Sequence, residues 1–254
     1  MEGAVSDPSS KNRYMNRRAV GNQAYVPTEV EHLANVVTHG LSVLPSLLGL
    51  VFLLQQSSGK SQYLTCLIYG LSMVALFSIS TFFHSVFYLG RFRLLKEVLH
   101  RCDRAIIYVF IAASYTPWLT LKEMGPDSPA RHLRWLVWLL ALLGIAYQHF
   151  FHERYKTLET CFYAVIGIVP GLAVFSMCER SGVLELTAGG LLYIVGVVFF
   201  KSDGRIPCAH AIWHLFVNVG ALCHYYAICK YLLRPDRTHV IDVSRPRTPP
   251  PARF

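Results

Sequence analysis

The sequence predicts an all-α membrane protein, a seven-transmembrane helix bundle. Two observations predict it. Of 254 residues, 53% are hydrophobic and only 15% charged, with a mean hydropathy of +0.37, whereas a soluble domain carries about 25% charged residues. The apolar residues also gather into seven runs, at 34–54, 63–87, 105–121, 134–151, 158–177, 184–200 and 210–233. Each run is close to the ~20 residues that a bilayer demands of a helix. The runs and their short connections fill the chain so completely that one membrane domain, 31–233, is expected between an N-terminal segment, 1–30, and a tail, 234–254.

The first 30 residues carry basic side chains but no apolar stretch of signal-peptide type, so run one is expected to serve as the insertion signal. The helix entering run one carries Glu31, Asn35 and His39 at i, i+4 and i+8, which puts all three on one helix face. That stripe is read as a polar seam hydrogen-bonded to a neighbouring helix, with His39 outside any metal centre. Run two ends in Ser80-Thr-Phe-Phe-His84, and run three follows Arg101-Cys102-Asp103-Arg104. Run four ends in Gln148-His-Phe-Phe-His152, whose i, i+3 histidines beside Glu153 and Arg154 are read as interface residues. Pro45, Pro117 and Pro170 mark expected kinks, and Gly189-Gly190 in run six marks a close helix contact. Trp118, Trp135, Trp138, Tyr225 and Tyr226 are read as interfacial anchors.

Run seven opens with His210-Ala-Ile-Trp-His214, and the tail after it is basic and rich in proline, hence expected to be disordered. The seven cysteines include no CxxC pair and are read as small core-filling residues rather than a disulfide framework.

Basic residues set the expected orientation. Between the termini, nine lie on the side of the N-terminus (Arg91, Arg93, Lys96, Arg101, Arg104, Arg154, Lys156, Lys201, Arg205) against five on the other. The positive-inside rule then puts the N-terminus in the cytoplasm. The tail adds five basic residues on the far side and argues the other way. The net charge of +9 is accordingly read as topology and attraction to an anionic leaflet, with no nucleic-acid partner.

Because the chain changes sides at every span, His39, His84, Asp103, His210 and His214 all fall in one leaflet. Residues four apart project from one helix face, so His210 and His214 can converge on one cation. The pair alone is a weak signal, and His84 supplies the third imidazole. Three histidines with one open position form the pattern of a catalytic zinc site. The bland reading is imidazoles hydrogen-bonded between helices, but ionisable groups inside a membrane are costly and usually functional. Asp103 is either a helix N-terminal residue paired with Arg104 or a carboxylate that holds and deprotonates a water.

Glu31-x3-Asn35-x2-Thr38-His39, Ser80-x3-His84 followed by Asp103, and His210-x3-His214 resemble in order and spacing the three motifs of the progestin and adipoQ receptor family, related to bacterial hemolysin III. The resemblance covers the whole membrane region. Longer stretches, FIAASYTPWL, GVVFFKSDGRIPCAHAIWHLF and HYYAI, are most similar to the monocyte-to-macrophage differentiation factor branch. The resemblance implies a seven-helix bundle with a cytoplasmic N-terminus, zinc on His84, His210 and His214, Asp103 against the reacting water, and Ser80 beside it. It also implies residence in endomembranes, the Golgi or late endosome and lysosome, with small GTPase or kinase pathway proteins and membrane lipids as partners. CDRAIIY around Asp103 departs from the adiponectin receptors, whose ceramidase-like activity is therefore not carried over.

Two function classes fit: a signalling protein promoting Ras and kinase pathways, in which zinc staples spans two and seven, or a zinc-dependent intramembrane lipid-amide hydrolase. The branch resemblance puts signalling first. A G-protein-coupled receptor does not fit, since Asp103-Arg104 begins span three instead of ending it and no Asn-Pro-x2-Tyr closes span seven.

Overall fold

The computed structural model describes residues 13–19, 25–126, 128, 130–152 and 154–233. Seven helices among them are long and apolar enough to cross a membrane. They are α1 (Glu29–Gln56), α2 (Lys60–Leu89), α3 (Arg93–Leu121), α4 (Ala130–Phe150), α5 (Lys156–Ile168, extended by a 3-10 turn, Pro170–Ser176), α6 (Val183–Phe200) and α7 (Ala209–Tyr231). The tail expected to be disordered lies outside the described residues.

Local chemistry sets the ends of these helices. At α1 the Thr28 hydroxyl accepts from the Glu31 amide at 3.3 Å and the Glu31 carboxylate accepts from the Thr28 amide at 2.9 Å, a reciprocal cap. Gly90 ends α2 in the left-handed region, φ 67, which an L side chain rarely adopts. The apolar run 158–177 is not one helix: Pro170 has no amide to donate, and beyond Ile168 the chain tightens into a 3-10 turn.

One boundary differs from expectation by 12 residues, the run beginning at 105 and the helix at Arg93. The added turns are amphipathic. Leu99 is buried there against Phe83 and Val86 of α2, while Arg93, Lys96 and Glu97 dilute the hydropathy.

α1 packs between α2 and α7, α3 between α2 and α4 while also touching α5, and α6 packs on α7. α5 and α6 share no extensive contact, although they are consecutive. The main core gathers Leu53, Tyr69, Phe77, Trp118 and Ile228, and a second core joins α3, α4 and α5 through Tyr108, Val137, Ala141 and Ile166. Trp118 is thus a correction: it is 2% exposed and packed inside the bundle, so it does not serve as an outward-facing anchor.

In lipid, helices associate by close packing, because the surrounding tails are as apolar as leucine. Gly144 of α4 supplies such closeness, since a Cβ there would lie 2.3 Å from the Tyr108 ring of α3. The contact expected of Gly189-Gly190 belongs to Gly189 alone: its Cβ would meet the His224 ring at 2.7 Å, while Gly190 faces open space. All seven cysteines are free.

Candidate functional site

α2 brings His84 to the site one turn before its end, and the first two turns of α7 bring His210 and His214. Their ring centroids lie 4.7 to 5.3 Å apart. One nitrogen from each falls within 4.8 Å of the other two. Both nitrogens of His84 and Nδ1 of His210 are buried without a hydrogen-bond partner among the described residues. Buried polar atoms are almost always paired, and each unpaired one costs about 1–3 kcal/mol. A cation taking the one lone pair of each neutral ring removes that cost at one nitrogen of each. Tetrahedral zinc holds its nitrogens at ~2.0–2.1 Å, hence ~3.4 Å from one another, and small ring rotations close the remaining distance. The three residues fit a zinc ion.

The neighbours of His214 fix which of its nitrogens is free. The Thr38 hydroxyl donates to the Ala34 carbonyl at 2.8 Å, leaving its oxygen to accept from Nδ1 of His214 at 2.9 Å. The lone pair then resides on Nε2, as metal ligation requires. Thr38 is itself held through its carbonyl, which accepts from Asn218 at 2.8 Å.

His39 belongs to the surroundings and not to the three-histidine group. Its Nδ1 lies 2.8 Å from the Ser80 hydroxyl, and its ring is stacked on that of His214 with centroids 3.7 Å apart. Ser80 in turn meets the side chain of Asp103. Ser80, Asp103 and the three histidines all line one cavity. Arg104, the partner of Asp103 in one of its two readings, donates to Glu159 of α5 at 2.6 Å, and Glu159 also accepts from Tyr163 at 3.1 Å.

Several residues here carry no sequence signal of their own. The Tyr25 ring stacks on His210 at 5.2 Å, and its hydroxyl accepts from Asn35 at 3.3 Å. Asp203, between α6 and α7, has a carboxylate oxygen 4.0 Å from Nδ1 of His210. Burial, reinforced by the negative charge of Glu31, pushes the Asp203 carboxyl up to about 7. Both lie in connections, where no helical period picks them out. His152, read as an interface residue, has its Nε2 3.2 Å from Nδ1 of His100, joining the end of α4 to α3.

The cavity holds about 1260 Å³. It extends from the histidines to Trp118 and His224, and Asp103 and Trp118 at its two ends are ~22 Å apart along α3. Leu158, Ala164 and Ile168 of α5 face Leu191, Ile194 and Val197 of α6 across it, where the two helices leave a gap. The arrangement is thus an apolar slot of acyl-chain length, with three imidazoles, a carboxylate and a hydroxyl at one end.

Comparison with known sequences places this geometry among relatives. The profile of the family described as Haemolysin-III related matches residues 28–225. The chain is 49% identical over 223 residues to the monocyte to macrophage differentiation factor of Homo sapiens, covering 87% of this chain and 93% of that one. It is 35% identical over 212 residues to the Hemolysin-3 homolog of Bacillus subtilis (80% and 95% covered) and 32% identical over 213 residues to Hemolysin-3 of Bacillus cereus (80% and 92% covered).

Proposed function

The chain belongs to the Haemolysin-III related family, and on that footing we propose that His84, His210 and His214 hold a zinc ion at which a membrane lipid is hydrolysed at its acyl linkage. One observation carries the reading: three imidazoles, those of His84 and His210 with unpaired nitrogens, converge at one end of an apolar cavity that Asp103 and Ser80 also line. A structural zinc site is closed by four protein ligands, whereas a catalytic one keeps a position for water or substrate. Three histidines facing a cavity match the second kind.

Zinc bound there would supply Lewis acidity, polarising a carbonyl and bringing the pKa of a water toward ~7. The chain's own residues would do the rest. Asp103 accepts the proton of the attacking water as oxygen adds to the acyl carbon, then returns it to the departing nitrogen or oxygen as that bond breaks. Ser80, between His39 and Asp103, holds the carboxylate in place. The gap between α5 and α6 admits the lipid from the bilayer.

A second reading, signalling without turnover, is favoured by the 49% identity to a protein named for differentiation. In it the zinc staples α2 to α7, and the protein acts on Ras or kinase pathways from Golgi or lysosomal membranes. Asp103→Asn separates the two. It keeps shape and hydrogen bonding but removes the basic carboxylate, so an enzyme loses fatty-acid release from a lipid panel while keeping its metal. Pathway output that survives Asp103→Asn, from a wild type that releases no fatty acid, would refute the hydrolase and leave the staple.

A further inference from the structure

A second cavity lies on the side of the bundle away from the histidines, where α2 and α4 begin and α3 ends. α2 and α4 both pack on α3 but share no extensive contact with each other. A groove of about 460 Å³ is left between them, with Thr116 and Thr120 of α3 along its floor. None of its residues lines the histidine cavity. Its walls are helical stripes, Ser61, Leu64 and Ile68 on α2 and Arg131, Arg134 and Trp138 on α4, at the three- and four-residue spacings of one helix face.

Polarity is graded along the groove. Ser61 and Arg131 are each the second residue of their helix and Thr120 is the last but one of α3, so the mouth is polar, while Leu64, Ile68 and Trp138 lie deeper. The deeper polar groups are satisfied from within the protein. Trp138 donates to the Thr116 hydroxyl at 3.1 Å, Thr116 to the Ala112 carbonyl at 2.9 Å, and Thr65 to the Ser61 carbonyl at 2.9 Å. At the mouth, Arg131 and Arg134 form no ion pair or side-chain hydrogen bond among the described residues, and no acidic residue is among those lining the groove. Three residues apart on one helix, the two positive charges repel each other unless an anion joins them.

We propose that this groove binds an anionic phospholipid of the leaflet opposite the histidines, its phosphate held by Arg131 and Arg134 and one acyl chain lying along Leu64, Ile68 and Trp138. The guanidinium fork matches phosphate oxygens, and basic pockets between membrane helices take anionic headgroups. Two arginines set against one phosphate favour a headgroup without a cation of its own, since the ammonium of a zwitterionic lipid would meet the same positive charges. The order of the lipid, phosphate outward and chain inward, is the order of the groove. Leu64 and Trp135 at its edges are 57% and 56% exposed, so a lipid enters sideways from the bilayer.

The test uses full-length protein in detergent and native mass spectrometry with three probes. These are phosphatidylglycerol, phosphatidylcholine of the same chains, and inorganic phosphate. Wild type should retain phosphatidylglycerol at least about tenfold more tightly than phosphatidylcholine, at roughly fivefold for each basic residue beside the headgroup. Arg131→Gln with Arg134→Gln should lose that preference. Both arginines are exposed, so their replacement spares the core, and an unchanged melting temperature verifies that the variant is folded. Lys60→Gln with Arg180→Gln, basic residues of the same side outside the groove, should leave the preference as it is. Equal retention of the two lipids by wild type would overturn the proposal, as would a preference that survives in the folded Arg131 and Arg134 variant. An equal loss in the Lys60 and Arg180 pair would reduce the effect to general surface charge and overturn it too. So would displacement of phosphatidylglycerol by inorganic phosphate at matched concentration, which would mark a site for the free anion.

Discussion

The Thr38 hydroxyl sits 2.9 Å from Nδ1 of His214 while its own proton is directed to the Ala34 carbonyl. A single turn of α1 therefore sets the tautomer of an imidazole on α7. Removing such a hydrogen bond typically weakens metal affinity 10–100-fold. Thr38→Ala should show that loss in competition with a chelator, and Thr38→Ser should retain near wild-type affinity. Equal affinity in all three would remove Thr38 from the metal's surroundings.

The Arg104–Glu159 pair, 2.6 Å long and largely buried, ties α3 to α5 at the edge of the cavity. Breaking a buried pair from one side leaves a charge uncompensated and costs about 3–5 kcal/mol. Glu159→Ala should therefore lower thermal stability more than Glu97→Ala, whose partner Arg93 is exposed. Thermal unfolding in detergent, followed by helical circular dichroism, reads the difference.

Gly144→Ala places a methyl group 2.3 Å from the Tyr108 ring. Overpacking of that kind costs about 1–3 kcal/mol, whereas Gly190→Ala, in open space, should be neutral or slightly stabilising. The same melting experiment compares the two.

Topology is tested with tags at Glu2 and Phe254 in selectively permeabilised cells. The excess of basic residues flanking the histidine side predicts a cytosolic N-terminus and a lumenal or exterior C-terminus. A C-terminal tag reached by antibody when only the cytosolic face is open would contradict the seven-span, N-inside arrangement.

Much of the bundle was legible in the sequence because seven spans need seven apolar runs. Where charge and apolar residues mix, as in Arg93 to Arg104, hydropathy misses a helix that amphipathic packing supports. Hydropathy also cannot tell lipid-facing from bundle-facing residues, so Trp118 looked interfacial although it is buried. His210 and His214 were visible through their spacing, and His84 through the alternation of sides. Asp203 and Tyr25 were not, since connections have no period, and the gap between α5 and α6 is a missing contact that no residue type announces.

The metal content of the purified chain tests the central claim most directly. Elemental analysis of well-folded wild-type protein should find about one zinc per chain. His84→Ala, His210→Ala and His214→Ala should each lose it, because two imidazoles hold the cation poorly. His39→Ala should keep it, since that ring bonds to Ser80 and stacks on His214 without joining the three-histidine group. Folded wild type without zinc, or zinc that persists after all three substitutions, would contradict the metal centre and the hydrolysis built on it.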